Sequence, residues 1–340
     1  PAPRGDRGEA AGERGSGGRQ GLIDAAVRRI LYWRKGVVMG TRKRCDGNLI
    51  RGLPSFRIIN PFVMRGRNES IIYFSHQIRI RKTLEFIRKY GKENAGNGIR
   101  ITVFHIILCA LVRTLALRPQ LNRFISGQRI YQRNRIQISF IVKKKLTEEA
   151  RETNAKISFS PFETLETIVG KVNREVGKAR DEEGNESDRE IDFFTRLPRF
   201  ALNLVVGAFR FLDYFGLAPR SMIELDPLFT SIYVANLGSV GMDAPFHHLY
   251  EWGNASIFAS IGKVKKAPVV ADDGSIRAED VLIINYSLDD RISEGIYCAR
   301  AIEMFKDLLE NPEELLKKPD LSPEILRELN LQGLDEAGEA

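Results

Sequence analysis

Three cysteines in 340 residues, Cys45, Cys109 and Cys298, are too few, too far apart and odd in number to read as a disulfide framework or a metal-ligand spacing. A reducing, cytoplasmic setting is expected from them, and no metal. No run of about 18 or more residues is apolar throughout and free of charge, so no transmembrane helix is expected. A strong charge of one sign is missing as well. The net charge is +8, but residues 1–38 carry eight Lys/Arg against four Asp/Glu, which accounts for half of it. The remaining body is nearly balanced, unlike a surface that tracks phosphates, and nucleic acid is not an expected partner.

What is there is the composition of a soluble globular protein: 43% hydrophobic and 28% charged residues, enough apolar side chains for a sizeable core. Residues 1–21 are mostly Gly, Arg, Ala and Glu without periodicity and are expected to be disordered. Leu22–Val38 is short, basic and amphipathic, with Leu31, Tyr32 and Trp33. Two readings stay open for residues 1–40: translation that begins at Met39, or a basic arm for targeting or for a membrane surface. A domain over 41–318 and a loose acidic tail over 319–340 complete the organisation. No internal repeat is visible.

From Asn68 the pattern is regular. β-branched and aromatic residues predict a strand over Ile71–Ile80, and Leu84, Phe86 and Ile87 predict a helix over Arg81–Tyr90. Thr102 is an N-cap candidate for a strongly apolar helix that runs to Leu117 and stops at Pro119. His105 inside it reads as a core residue. Gly127 marks a turn between Phe124–Ile125 and a strand at Arg129–Tyr131. Ile136–Val142 alternates as another strand, and Lys143, Lys144 and Lys145 read as its solvated end. A helix over Ser160–Arg180, a polar loop at Gly184–Arg189, strands at Ser231–Ala235, Ser256–Ile261 and Leu282–Tyr286, and a helix over Ile296–Leu309 follow. Pro198–Phe215 stands out: its polar residues Arg199, Asn203, Arg210 and Asp213 fall at offsets 0, 4, 11 and 14, one narrow stripe on a helix. The other large side chains there are apolar, so burial on nearly all sides is expected, in the domain, in a subunit contact or at a membrane face.

Three blocks carry a family resemblance. The first is Ala110-Leu-Val-Arg-Thr-Leu-Ala-Leu-Arg-Pro119-Gln-Leu-Asn122, followed by the strand residues to Ile130. The second is Ser231-Ile-Tyr-Val-Ala235-Asn236-Leu237-Gly238-Ser-Val-Gly241, and the third Tyr286-Ser-Leu-Asp289-Asp290-Arg291-Ile-Ser-Glu294-Gly295. In order and spacing they resemble the catalytic domain of the 2-oxo acid dehydrogenase acyltransferases and the chloramphenicol acetyltransferases. The second block is similar to that family's "T-I-S-N-L-G-x-x-G" and the third to "S-Y-D-H-R-x-x-D/N-G". The resemblance implies an α/β fold, a two-layer sandwich of the coenzyme A-dependent acyltransferase type in which helices cover a mixed sheet. It also implies a homotrimer with active sites between neighbours, acyl-coenzyme A and an acceptor of unknown identity as partners, and coenzyme A contacts at Asn122, Ser139, Gly238 and Arg291. Nothing in residues 1–40 resembles a lipoyl-lysine hairpin, so a standalone acyltransferase is expected.

Three departures fall on the chemistry. In the family the histidine of "D-H-R" removes the acceptor's proton, the serine of "S-N-L-G" donates to the oxyanion, and the residue four places after the histidine steadies its loop. Here those positions hold Asp290, Ala235 and Glu294, with Asn236 beside Ala235. A positioned base is worth about 10²–10⁴ in rate and one oxyanion donor about 10²–10³. Asp290 serves as a base only with its pKa raised, for which Glu294 or Asp289 would form a paired-carboxylate site. The alternative is that these acids form ion pairs with Arg291 or another arginine. His247 and His248, between Phe246 and Leu249, either supply a relocated base or are structural. Three functions remain: an acyltransferase of altered chemistry, a non-catalytic scaffold or ligand-binding member of the same fold, and a membrane-surface scaffold.

Overall fold

The apolar run at 103–117 sets the architecture. In the computed structural model it is a helix, Val103–Leu117, whose start Thr102 fixes: the Thr102 hydroxyl accepts from the His105 N–H, and His105 Nδ1 accepts from the Thr102 N–H at 3.2 Å. This reciprocal cap satisfies two backbone donors that a helix start leaves open. His105 is thereby structural, as expected. The structure describes residues 44–94, 100–143, 152–181, 196–271 and 273–333, all within the unit Lys43–Ala340. The expectations for the N-terminal arm, for Lys144 and Lys145, and for the Gly184–Arg189 loop lie outside the described residues.

In chain order the strands are β1 (Gly47–Leu49), β2 (Ile71–Arg79), β3 (Arg123–Ser126), β4 (Arg129–Arg133), β5 (Ile136–Lys143), β6 (Glu152–Phe159), β7 (Ile232–Asn236), β8 (Ile257–Ile261), β9 (Lys265–Val270) and β10 (Ile276–Asp289). The helices are α1 (Ser55–Val63), α2 (Arg81–Glu93), α3 (Val103–Leu117), α4 (Leu165–Asp181), α5 (Arg199–Tyr214), α6 (Arg220–Leu225), α7 (Gly295–Glu310) and α8 (Pro323–Leu329). Seven strands form a mixed sheet in the order β2-β10-β8-β7-β5-β6, with β9 also paired to β10. The β5–β7 and β7–β8 pairs are parallel and the others antiparallel. A separate antiparallel sheet runs β1-β4-β3.

Strand alternation divides the large sheet into two unlike faces. One carries Ile138, Phe140, Ile232, Val234, Ile257, Ala259, Ile284, Tyr286 and Leu288, and it forms one core with α3, α4 and α7. The opposite face carries Tyr73, Ser75, Ser139, Tyr233, Ala235, Phe258, Ser260, Asn285 and Ser287, aligned row by row across the ladder. The chain over 244–250 lies on this polar face: Asn285 Nδ2 donates to Ala244 O at 2.8 Å, and the Ser287 hydroxyl donates to His247 O.

Three expectations are corrected. The helix expected from Ser160 begins at Leu165, because Ser160–Glu163 close a turn in which Glu163 Oε1 accepts from the Ser160 N–H at 3.1 Å. The tail is folded as far as it is described: Ser322 caps α8, and Leu321 and Leu329 are buried. Most consequentially, α5 is not buried on nearly all sides. Phe209 is its one buried residue, while Phe200, Leu204 and Phe211 are 77%, 72% and 64% exposed. The helix touches the domain through a small separate cluster of Phe209, Ile223 and Phe229, with Trp252 stacked on Phe209 at 4.9 Å. Its last turn is clasped by charge. Asp213 Oδ1 accepts from Arg44 Nη2 at 2.7 Å and Oδ2 from the Ser126 hydroxyl at 3.0 Å.

Phe209→Asp places a carboxylate in that cluster and is expected to lower the thermal midpoint by several degrees. Phe200→Asp, on the exposed side, should leave the midpoint within about 2 °C, since surface changes are usually worth under about 0.5 kcal/mol. Differential scanning calorimetry of the two variants checks the pair.

Candidate active-site region

The segment after β10 is built around a buried ion pair. Asp289 and Arg291 are 1% and 2% exposed, and the carboxylate takes both arms of the fork, Nε to Oδ1 at 2.8 Å and Nη2 to Oδ2 at 2.7 Å. Arg291 Nη1 donates further to Met64 O at 2.8 Å and Arg65 O at 3.2 Å. Two-point geometry of this kind is where a guanidinium and a carboxylate bind best. Of the two alternatives for the acids, the ion pair holds for Asp289. Asp290 is half-buried and is held by its backbone: its N–H donates to Ser70 O at 2.8 Å, and its carbonyl accepts from Arg57 Nη1 at 3.3 Å. Glu294 is exposed and begins α7 without a side-chain cap bond. Among the described residues neither acid is ion-paired, and no second carboxylate is hydrogen-bonded to Asp290.

Ala235 and Asn236 end β7, half-buried. Gly238, in the turn that follows, has a reason of its own for being glycine. A Cβ there would stand 2.4 Å from Gly262 O, so the turn lies against the chain after β8 only without one. Asn122 is fully buried and ties backbone, with Nδ2 donating to Arg135 O at 3.0 Å and its carbonyl accepting from Gln132 Nε2 at 3.3 Å. Ser139 is likewise 0% exposed, at the centre of β5. Of the four residues that the resemblance assigns to coenzyme A contact, Asn122 and Arg291 thus tie backbone and Gly238 permits a close approach of two segments.

Register places Asp290 and Ala235 far apart within one chain. Ile257 pairs with both Ile232 and Leu288, so the Asp290 end of β10 lies level with the start of β7. Ala235 is at the other end, with β8 between. At ~3.3 Å per residue and ~4.8 Å per strand this amounts to roughly 15–20 Å.

The histidine pair sits closer. His247 stacks flat on Phe258, with centroids 4.0 Å apart and planes 8° apart, and His248 stacks on His247 at 4.6 Å. Phe258 is two residues along β8 from Ser260, the ladder partner of Ala235, and Ala235 packs against the Tyr233–Leu249–Phe258 cluster. His247 Nδ1 meets His248 O at 2.6 Å and His248 Nδ1 meets Leu249 O at 2.9 Å. A carbonyl only accepts, so each contact puts a proton on Nδ1, and in the neutral ring of His247 the lone pair is then on Nε2. Burial pulls His247 below its usual value of 6.5, which keeps it neutral near pH 7. The sequence named the pair; it could not show that the main chain holds both tautomers alike. Ser139 Oγ, Ser260 Oγ and Asn285 Oδ1 on this face are buried without a partner. Among the described residues no group of three or more His, Cys, Asp or Glu is placed to hold a metal ion, and no helix is long and apolar enough to cross a membrane.

Arg291→Met should leave Asp289 buried without its partner and lower the unfolding free energy by about 3–5 kcal/mol. Urea denaturation of the variant against the parent measures it.

Comparison with known proteins follows the same lines. Residues 229–317 match the family described as 2-oxoacid dehydrogenases acyltransferase (catalytic domain). The lipoamide acyltransferase component of the branched-chain alpha-keto acid dehydrogenase complex of Bacillus subtilis (strain 168) is 24% identical over 217 residues, 64% of this chain and 41% of that protein. The match thus spans about two fifths of that relative's length. The cubic core of the pyruvate dehydrogenase multienzyme complex superposes with a TM-score of 0.52 at 16% identity, over 79% of this chain and 95% of that one. The dihydrolipoamide acetyltransferase of Azotobacter vinelandii, where a serine, a histidine and an asparagine were investigated for their role in the catalytic mechanism, gives 0.51 at 16% identity over the same shares. By sequence over residues 229–317 and by fold over most of its length, the chain resembles the catalytic domain of the 2-oxoacid dehydrogenase acyltransferases.

Proposed function

We propose that this domain transfers an acyl group from a coenzyme A thioester to a thiol or hydroxyl acceptor, with His247 as the base in place of the family histidine. The observation that carries this reading is His247, stacked on Phe258 of the cluster that Ala235 also packs against, with its Nδ1 engaged by the His248 carbonyl so that Nε2 is the nitrogen left for a substrate. His247 Nε2 takes the acceptor's proton, the acceptor's sulfur or oxygen attacks the thioester carbonyl, and the collapsing intermediate expels the coenzyme A thiolate. The imidazolium then returns the proton to that thiolate. Ala235 offers no side-chain donor to the oxyanion, so a slow reaction is expected. The non-catalytic scaffold is the second reading; it draws on the loss of both family side chains, Asp290 and Ala235 standing where histidine and serine are found in relatives.

Purified protein is to be incubated with acetyl-coenzyme A and a dithiol acceptor, with the thioester product followed by mass spectrometry. His247→Gln should lower kcat/KM by about 10²-fold or more, whereas Asp290→Asn should change it less than about fivefold. Ala235→Ser, which supplies the missing donor, should raise it, by up to about 10²-fold. The opposite ranking of His247→Gln and Asp290→Asn would return the base to the family position. No turnover in any variant, Ala235→Ser included, would leave the scaffold.

The homotrimer belongs to the same proposal. Its support is the fold likeness to an assembled multienzyme core and the apolar side chains that α1 and α5 present to solvent, Phe56, Ile59, Val63, Phe200 and Leu204 among them. Light scattering on the eluting peak at micromolar concentration should give three times the chain mass of 38.5 kDa; a monomer peak would count directly against it.

A further inference from the structure

A cavity of about 560 Å³ opens between α1, α5 and the β3–β4 turn, and none of its walls belongs to the His247 face. Its volume suits a small organic ligand. Its apolar wall is aromatic: Phe209 stacks on Trp252 at 4.9 Å and meets Phe229 edge-on at 5.9 Å. Its charged groups are unevenly matched. Arg291 is paired with Asp289, and Asp213 shares Arg44 with Asp46, which leaves Arg65, Arg67 and Arg210 facing Glu251 and the part of the Asp213 charge that Arg44 does not cancel.

Arg67 is the decisive one. Its guanidinium donates to Gly253 O at 2.5 Å and Ala255 O at 3.2 Å, and it makes no ion pair among those described. Asp289, Asp213 and Glu251 act on it only through space, and Arg291 opposes them. Burial outweighs those carboxylates and pulls its pKa down to about 10. Glu251 in turn is engaged by Asn68, accepting from its N–H at 3.1 Å and its side-chain amide at 2.9 Å. Carbonyl bonds hold Arg67 in place but do not cancel its charge, so an anion entering the cavity gains a charge-assisted partner that the chain does not supply.

We propose that this cavity is a binding site for an organic anion, one carboxylate or phosphate group facing Arg67, Arg65 and Arg210 and an apolar body against Phe209 and Trp252. Binding there is independent of the acyltransferase reading and is tested without turnover. Trp252 supplies the signal once the other tryptophan, Trp33, is replaced by phenylalanine. Octanoate and octyl phosphate should change its emission saturably. Octanol, which lacks the charge, and inorganic phosphate, which lacks the apolar body, should bind at least tenfold more weakly. Arg67→Met should weaken octyl phosphate binding at least tenfold. Because Arg67 also ties the 253–255 segment and its loss can unfold the region, the exposed pair Arg65→Gln with Arg210→Gln is the second variant, expected to weaken binding at least fivefold with the melting temperature unchanged. Octanol binding as well as octanoate, or inorganic phosphate as well as octyl phosphate, would overturn the proposal. So would a folded Arg65→Gln, Arg210→Gln variant of parental affinity, or displacement of the probe by coenzyme A, which would make the cavity part of the donor site.

Discussion

The Asp289–Arg291 pair is the constraint around which the functional half of the molecule is arranged. It closes the turn after β10 and, through Arg291 Nη1, pins the carbonyls of Met64 and Arg65 just beyond α1. Two residues on, Arg67 fastens the same segment to the carbonyls of Gly253 and Ala255. Two guanidinium groups therefore stitch three stretches of chain that have no ladder between them. A buried pair of this kind contributes little net stability over an apolar replacement, but it is unforgiving of the loss of one partner. Its effect is to fix where irregular backbone lies. The turn at Asp290 and the segment after α1, both of which border the cavity, are set by it.

The two faces of the sheet differ in how much substitution they tolerate. One face is closed by α3, α4 and α7 and admits only apolar side chains. The other is polar, its rows of Ser, Asn and Tyr covered by a single extended stretch that includes both histidines. Because the polar rows do not set the core, residues there can be exchanged without unfolding the sheet. Ala235 is a position of this type. Asp290 is placed differently, since its backbone is held by Ser70 and Arg57 whatever its side chain.

Much of this was legible in the sequence where the signal was local. The α3 helix and its Thr102 cap, the strands at β7, β8 and β10, and the turn at Gly127 all follow from periodicity or from capping chemistry. The fold followed from three motif blocks in order. What was not legible depends on contacts between distant segments. Nothing local marks Gly238 as the residue that must pass Gly262, or Arg67 as the cation against Gly253 and Ala255. The polar stripe of α5 correctly indicated a helix, but a stripe says which side faces water and not how much of the other side finds a partner. Among the described residues of α5 only Phe209 is buried. The same limit applies to the candidate site. Asp290, Ala235 and the histidines were identifiable by type, while the ladder register that separates the first two and brings the third near Ala235 was not.

The attachment of α5 has a consequence for the energetics of whatever occupies its surroundings. Phe209, Ile223 and Phe229 form a cluster separate from the main core, and the helix is otherwise retained by the Asp213 clasp. Such a unit opens at a lower free energy than the sheet, as an independent cooperative segment. Amide protons in α5 then exchange by local detachment, while those of β8 and β10 wait for global unfolding. Any ligand that needs Phe209 in place binds only the attached form, so its apparent affinity falls with the attached fraction. The ligand, by the same linkage, holds the helix down.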